Sequence, residues 1–144
     1  MGFRAFNYGA NIIAIKKNNY HYGMTCSWAM QVDYDKVIFL LGAQSITASI
    51  IKKNDLIGVS ALNQNQSQIA LKFGSTHSHE TNKFLDIEYF EDDSCLFIKG
   101  SSRLLKVKVI ELIYLTGIES DTLVYGQIVW TKENDTPFLS INDL

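Results

Sequence analysis

The chain has 144 residues, 47% of them hydrophobic and only one a proline, with 13 basic side chains against 15 acidic. A chain of this length buries roughly two thirds of the surface its unfolded form exposes, so a single domain over residues 1–144 is expected to fold without disulfide or metal staples. A net charge of −2 with no block of like charges argues against nucleic acid and anionic membranes as partners, and the longest apolar run, Val37 to Ala43, is far below the roughly 18 residues of a membrane span.

Met1 to Ala10 lacks a charged-then-apolar export pattern, so a soluble, cytoplasmic protein is expected. Cys26 and Cys95 show neither a C-x-x-C nor a zinc spacing, which predicts two reduced thiols.

Taken in chain order, runs rich in Val, Ile, Tyr and Phe between polar clusters predict a first strand over Asn11–Ile15 and another over Val37–Leu41. Ser45 to Asn54 then has helical spacing: Ser45 as N-cap, Ile46 and Ile50 on one face, Lys52 and Lys53 near the negative end. A strand follows over Leu56–Ala61. A second helix is predicted with Asn65 as cap, Gln68 at the capping-box position, Ile69 and Phe73 one turn apart, and Gly74 as the stop.

Four further strands are predicted over Ile87–Phe90, Ser94–Lys99, Lys106–Leu115 and Leu123–Thr131. In Lys106–Leu115 the apolar positions run Val107, Val109, then Ile110, Leu112, Tyr114, so the inward parity changes mid-strand and a β-bulge or burial on both sides is expected. Unequal strands with a bulge suit a small antiparallel barrel, giving a mainly β class with short helices.

The stretch Gly23-Met-Thr-Cys-Ser-Trp-Ala-Met-Gln-Val32 is too polar for a plain core strand. Gly23 lets another group approach the backbone, Thr25 and Ser27 offer hydroxyls, and Trp28 offers a large flat face, a mix that suits a flat heteroaromatic ligand. The competing reading is a strand entering a turn with Trp28 in the core. Ser45, Thr47 and Ser49 at a helix start would favour a bound phosphate, while Ser45 alone could be an N-cap and nothing more. Together the two stretches point to a nucleotide-like cofactor.

From Tyr8 through Phe84 the chain resembles the flavin reductase-like family, whose fold is the FMN-binding split barrel of Greek-key type, and its flavoredoxin-like subgroup. The resemblance rests on Tyr8-Gly9, Gly23 to Trp28, Ser45-x-Thr47 before an isoleucine-rich helix, Leu62-x-x-x-Gln66 with Ala70 and Phe73, and Asn82-Lys83-Phe84. It implies FMN at the interface of a homodimer. Thr25, Cys26 and Ser27 would edge the ring, Trp28 would border it, and Ser45, Thr47 and Lys83 would bind its phosphate.

The resemblance also implies an NAD(P)H-dependent reductase, with NADH or NADPH as donor and flavin or a redox protein as acceptor. The alternatives are a flavoredoxin-like electron carrier that does not itself oxidise NAD(P)H, or a cofactor-free barrel binding another small ligand. The chain departs from the family in having Asp35 and Lys36 where many members have proline, and Ser120-Asp121-Thr122 where many have glycine-aspartate-histidine. It also ends soon after Pro137-Phe138-Leu139, where longer relatives continue, which leads us to expect a more open flavin pocket or a different substrate.

His77-Ser-His79-Glu80 resembles a metal cluster only in composition, and no fourth ligand is in view, so no metal is expected. The chain has no Gly-x-Ser-x-Gly elbow, P-loop or Gly-x-Gly-x-x-Gly, and no side-chain pair suggests a general acid and base. A flavoprotein needs none, because the cofactor accepts the hydride.

Overall fold

A computed structural model describes residues 5–75 and 83–144. The chain begins with a hairpin of β1 (Asn11–Lys17) and β2 (Tyr20–Cys26), turned by Asn18 and Asn19 at φ 52° and 67°. Asparagine tolerates this left-handed conformation, and two such residues in succession match the twist of the flanking strands. None of the strand runs read from the sequence covers β2, for which the Asn-Asn pair is the local signal.

β3 (Ala29–Asp33) and β4 (Lys36–Leu41) form a second hairpin, so Gly23–Val32 is two strands broken at Ser27-Trp28 rather than one entering a turn. After α1 (Ile46–Ile50) and β5 (Leu56–Ala61) come α2 (Ser67–Ser75) and the hairpin of β6 (Tyr89–Asp92) with β7 (Cys95–Ile98). The long strands β8 (Arg103–Ile113) and β9 (Thr122–Glu133) finish the sheet, followed by a 3-10 turn over Ile141–Asp143.

The ladders are antiparallel, in the order β3-β4-β9-β8-β5-β1-β7-β6, with β2 also paired to β1. Among the described residues no ladder joins β2 to β3 or β4, so the barrel is split along that seam. β1 is central and buried on both faces. Ile13 and Ile15 join Phe39, Leu41, Ile57 and Val109 in one core, while Ile12 and Ala14 join Leu62, Phe73, Phe84 and Leu96 in another beneath α2.

Gly58 allows β5 and β7 to cross: a Cβ there would sit 2.6 Å from the Leu96 carbonyl oxygen. The parity change in β8 coincides with the register shift between Val109 and Glu111, where Ile110 is the extra residue, so the bulge expected there is present; a second shift, between Lys106 and Val107, leaves Val129 of β9 unpaired.

Both helices differ in extent from their sequence pattern. α1 ends at Ile50 because the Lys17 ammonium donates to the Ile50 carbonyl (2.8 Å) and Asp55 accepts from the Lys52 amide (2.8 Å), turning the chain away. Lys52 and Lys53 therefore lie beyond the helix rather than in its last turn. α2 begins one turn of chain beyond Asn63, where the Gln66 carbonyl accepts from Ile69 and Ala70, and it continues through Gly74 to Ser75. Asn65 is thus outside the helix and Gly74 inside it, against Thr25. No helix among the described residues is long and apolar enough to cross a membrane.

Candidate functional site

The seam between β2 and β4 holds a cavity of about 400 Å³, within the roughly 300–1,000 Å³ of small-molecule sites. Its wall comes from Met24, Thr25 and Cys26 at the end of β2, the Ser27-Trp28 link, Leu40, the turn over residues 42–45, Phe73 and Gly74 of α2, and Lys83. Tyr8 and Ile141 close it from the two chain ends, held together by the Ile141 amide donating to the Tyr8 carbonyl (2.8 Å).

The Ser27-Trp28 link is pinned to β4. The Leu40 amide donates to the Trp28 carbonyl (2.9 Å), and the Cys26 thiol lies 3.5 Å from that oxygen and 3.7 Å from the Leu40 carbonyl. Burial pushes this thiol up to about 12, so at neutral pH Cys26 is a neutral donor inside the wall, not a nucleophile. The Cys26 carbonyl accepts from the Asn11 amide side chain (3.0 Å), and the Thr25 hydroxyl donates to the Ala70 carbonyl (2.6 Å).

What remains open is at Ser27 and Trp28. Among the described residues the Ser27 hydroxyl, the Trp28 indole N–H and the two peptide N–H groups have no partner. Trp28 is 58% exposed, which removes the reading of it as a core residue. A flat ring would find an aromatic edge and unspent donors there.

Ser45 is the N-cap of α1: its hydroxyl accepts from the Ala48 amide (3.4 Å) and donates to the Met24 sulfur (3.2 Å). Thr47 is fully buried, its hydroxyl has no partner among the described residues, and it is not part of the cavity wall. Ser49 points elsewhere, donating to the Ile46 carbonyl (2.6 Å).

Lys83 is 4% exposed. Its ammonium donates to the carbonyls of Gly23 (2.8 Å) and Phe73 (2.9 Å), and has no carboxylate partner among the described residues. Desolvation by burial lowers its pKa to about 8. Among the described residues the wall carries no carboxylate and no imidazole. Those residues can hold an anion, and they include no acid–base pair.

A family model described as flavin reductase like domain matches residues 3–142. The chain belongs to this family.

Solved structures of low sequence identity share the fold of this flavin reductase-like domain. A proposed oxidoreductase from Sinorhizobium meliloti matches with a TM-score of 0.83 at 13% identity, over 94% of this chain and 47% of that one, so the domain spans less than half of that protein's length. The NADH:FAD oxidoreductase of Streptomyces globisporus matches at 0.79 and 19% identity, over 90% of this chain and 77% of that one. Flavoredoxin from Methanosarcina acetivorans matches at 0.81 and 13% identity, over 93% and 73%. Curated protein sequences provide no match.

Within the flavin reductase-like domain, the cavity brings together six of the seven residues singled out from the sequence: Thr25, Cys26, Ser27, Trp28, Ser45 and Lys83; Thr47 stands behind the wall. The group that approaches Gly23 is the protein's own, since a Cβ there would lie 2.8 Å from the Phe73 ring and 3.1 Å from Phe84. Leu40, Gln44 and Ile141 are wall residues the sequence does not single out, and Tyr8 enters there only through the resemblance and without a site role, because the folded seam is what brings 8, 40 and 141 together. His77, His79, Glu80 and Asn82 lie outside the described residues.

A second, apolar hollow of about 280 Å³ adjoins the first, sharing Tyr8, Trp28 and Leu40 and adding Phe6, Met30 and Leu123. Strand register extends this face: Leu40 pairs with Leu123 and that with Ile113, while Met30 pairs with Ile38 and that with Tyr125. Met30 is 63% and Phe6 74% exposed on the isolated chain.

Proposed function

We propose that the chain is an FMN-binding oxidoreductase of the cytoplasm that works as a homodimer, takes electrons from NADH or NADPH, and passes them to flavin or a redox protein. The observation that carries this reading is the buried Lys83 ammonium, which among the described residues meets two carbonyls and the Phe73 ring but no carboxylate, and faces the same cavity as Trp28. A desolvated cation without a counter-ion is costly, and an anionic ligand removes that cost.

The residues fit a phosphorylated flavin. Trp28 would border the ring, the Ser27 and Trp28 N–H groups would meet its polar edge, and Thr25 and Cys26 would wall it in. Lys83 and Ser45 would serve the phosphate, with the unpartnered Thr47 hydroxyl in reserve one residue beyond the wall. When bound, the flavin supplies the hydride-accepting chemistry. Met24, Leu40 and Phe73 keep water from the cavity floor, and Cys26 stays protonated and inert beside it.

A homodimer is supported by the apolar face that runs from the cavity across β3, β4 and β9, since contiguous exposed apolar surface of this kind marks association sites. All of β3 after Ala29 is exposed on the isolated chain. Two free cysteines suit a reducing compartment.

A second reading, a flavoredoxin-like carrier that does not itself oxidise NAD(P)H, is favoured by one observation: Thr122 stands opposite Leu41 at the start of β9, where many relatives have histidine. The test is the visible spectrum of the purified protein, followed by anaerobic addition of NADH or NADPH. A yellow protein bleached by either nucleotide supports the reductase, and one bleached by neither supports the carrier. A colourless protein that FMN cannot reconstitute sinks both and leaves a barrel for another ligand.

A further inference from the structure

The turn over residues 42–45 contributes Gly42, Gln44 and Ser45 to the cavity wall, yet little within the turn holds it in place. Its own closure is one hydrogen bond, from the Ser45 amide to the Gly42 carbonyl (3.1 Å). Gln44 is exposed, and its side-chain amide has no hydrogen-bond partner among the described residues. The anchor comes from far along the chain: Asp121 Oδ1 accepts the Ala43 peptide N–H at 3.0 Å, across 78 residues of sequence.

Register explains how the carboxylate arrives there. Leu41, the last residue of β4, pairs with Thr122, the first of β9, so the residue before β9 faces the residues after β4. Asp121 is itself fixed by two successive turns, with the Ile118 amide donating to Leu115 (3.1 Å) and the Asp121 amide donating to Ile118 (3.0 Å). Gly117 permits the first at φ 92°, and its N–H is taken by Glu119 (2.9 Å). The acceptor is thus presented by a braced loop and not by a free side chain.

We propose that Asp121 is a positioning residue for the ligand cavity. It touches neither the cavity nor a ligand, but by holding the Ala43 amide it sets where Gln44 and Ser45 stand on the wall. The inference rests on the flavin reading above for the identity of the ligand, and on the Asp121 to Ala43 geometry for its mechanism.

The test compares wild type, Asp121→Asn and Asp121→Ala in two measurements: FMN affinity from flavin fluorescence, and amide exchange at residues 43–45 without ligand. Asp121→Ala is expected to weaken FMN about fivefold to tenfold, to shift the absorption envelope of bound flavin, and to speed Ala43 exchange about tenfold. Asp121→Asn keeps the acceptor oxygen and is expected to stay within about twofold of wild type in both measurements. Unchanged exchange in Asp121→Ala overturns the inference, as does faster exchange with unchanged FMN affinity. Wild type that binds no flavin instead overturns the flavin reading, and the exchange measurement still decides whether Asp121 holds the turn.

Discussion

Lys83 and Lys106 are both buried lysines, at 4% and 7% exposure, and they sit in opposite electrostatic settings. Lys106, on β8, reaches the turn of the β6–β7 hairpin, where its ammonium bonds Asp92 (2.7 Å) and Asp93 (2.9 Å) and lies 5.3 Å from the Trp130 ring centre. Hydrogen bonds to Asp92 and then Asp93 raise its pKa, so its charge is fully compensated within the fold. Among the described residues Lys83 has two carbonyls and the Phe73 ring, 5.9 Å from its ammonium, with no carboxylate, and its pKa falls to about 8. A cation completed by its own chain acts as a clamp, whereas one left incomplete beside a cavity is a ligand group in waiting.

The sharpest way to break this contrast is Lys83→Met. FMN affinity is expected to drop about tenfold to a hundredfold while riboflavin affinity holds, as loss of one charge-assisted contact to phosphate dictates, measured by fluorescence titration with both ligands. An equal loss for both would remove Lys83 from the phosphate. Lys106→Met should do the reverse, lowering the melting temperature by several degrees and leaving both flavin affinities as they were.

The pH dependence separates the two lysines again. Between about 8 and its ordinary value of 10.5, Lys83 carries fewer protons folded than unfolded. Stability contributed at this site therefore rises with pH across that window, and the penalty is fully present below it. FMN affinity should move the other way, falling by up to about tenfold per pH unit above 8 as the ammonium is lost. Both slopes should vanish in Lys83→Met, as read by thermal melts and titrations over that range.

The smallest effect is expected at Thr47, whose buried hydroxyl is unpartnered. Thr47→Val should leave the ligand-free protein as stable or up to about 1 kcal/mol more stable, and should cost FMN about twofold to fivefold relative to riboflavin. An unchanged ratio would leave Thr47 a packing residue.

The sequence made the strands legible where hydrophobic runs are bounded by polar clusters, and the bulged strand legible because Val107, Val109 and Ile110 break the alternation. It misjudged the end of α1, because the helix is stopped by Lys17, which comes from β1, together with Asp55 in the turn before β5. Of the site, the composition of Gly23 to Trp28 was readable locally, and the family resemblance joined it to Ser45 and Lys83. Tyr8, quoted only as part of the family resemblance, was not readable as a wall residue, and neither was Ile141, since it is the hydrogen bond between them, from opposite ends of the chain, that brings both to the seam. That Gly23 accommodates Phe73 and Phe84, and not a ligand, depends on a packing contact no local pattern encodes.

The register shift between Val109 and Glu111 lets β8 serve two environments. Before it Val107 and Val109 are sealed in the core, while beyond it Ile113, on the outer row with Leu123 and Leu40, is 37% exposed. Substitutions in the first half therefore act on folding, whereas those in the second act, in the proposed dimer, on association. Variation can then reshape the outer face while the barrel beneath stays intact.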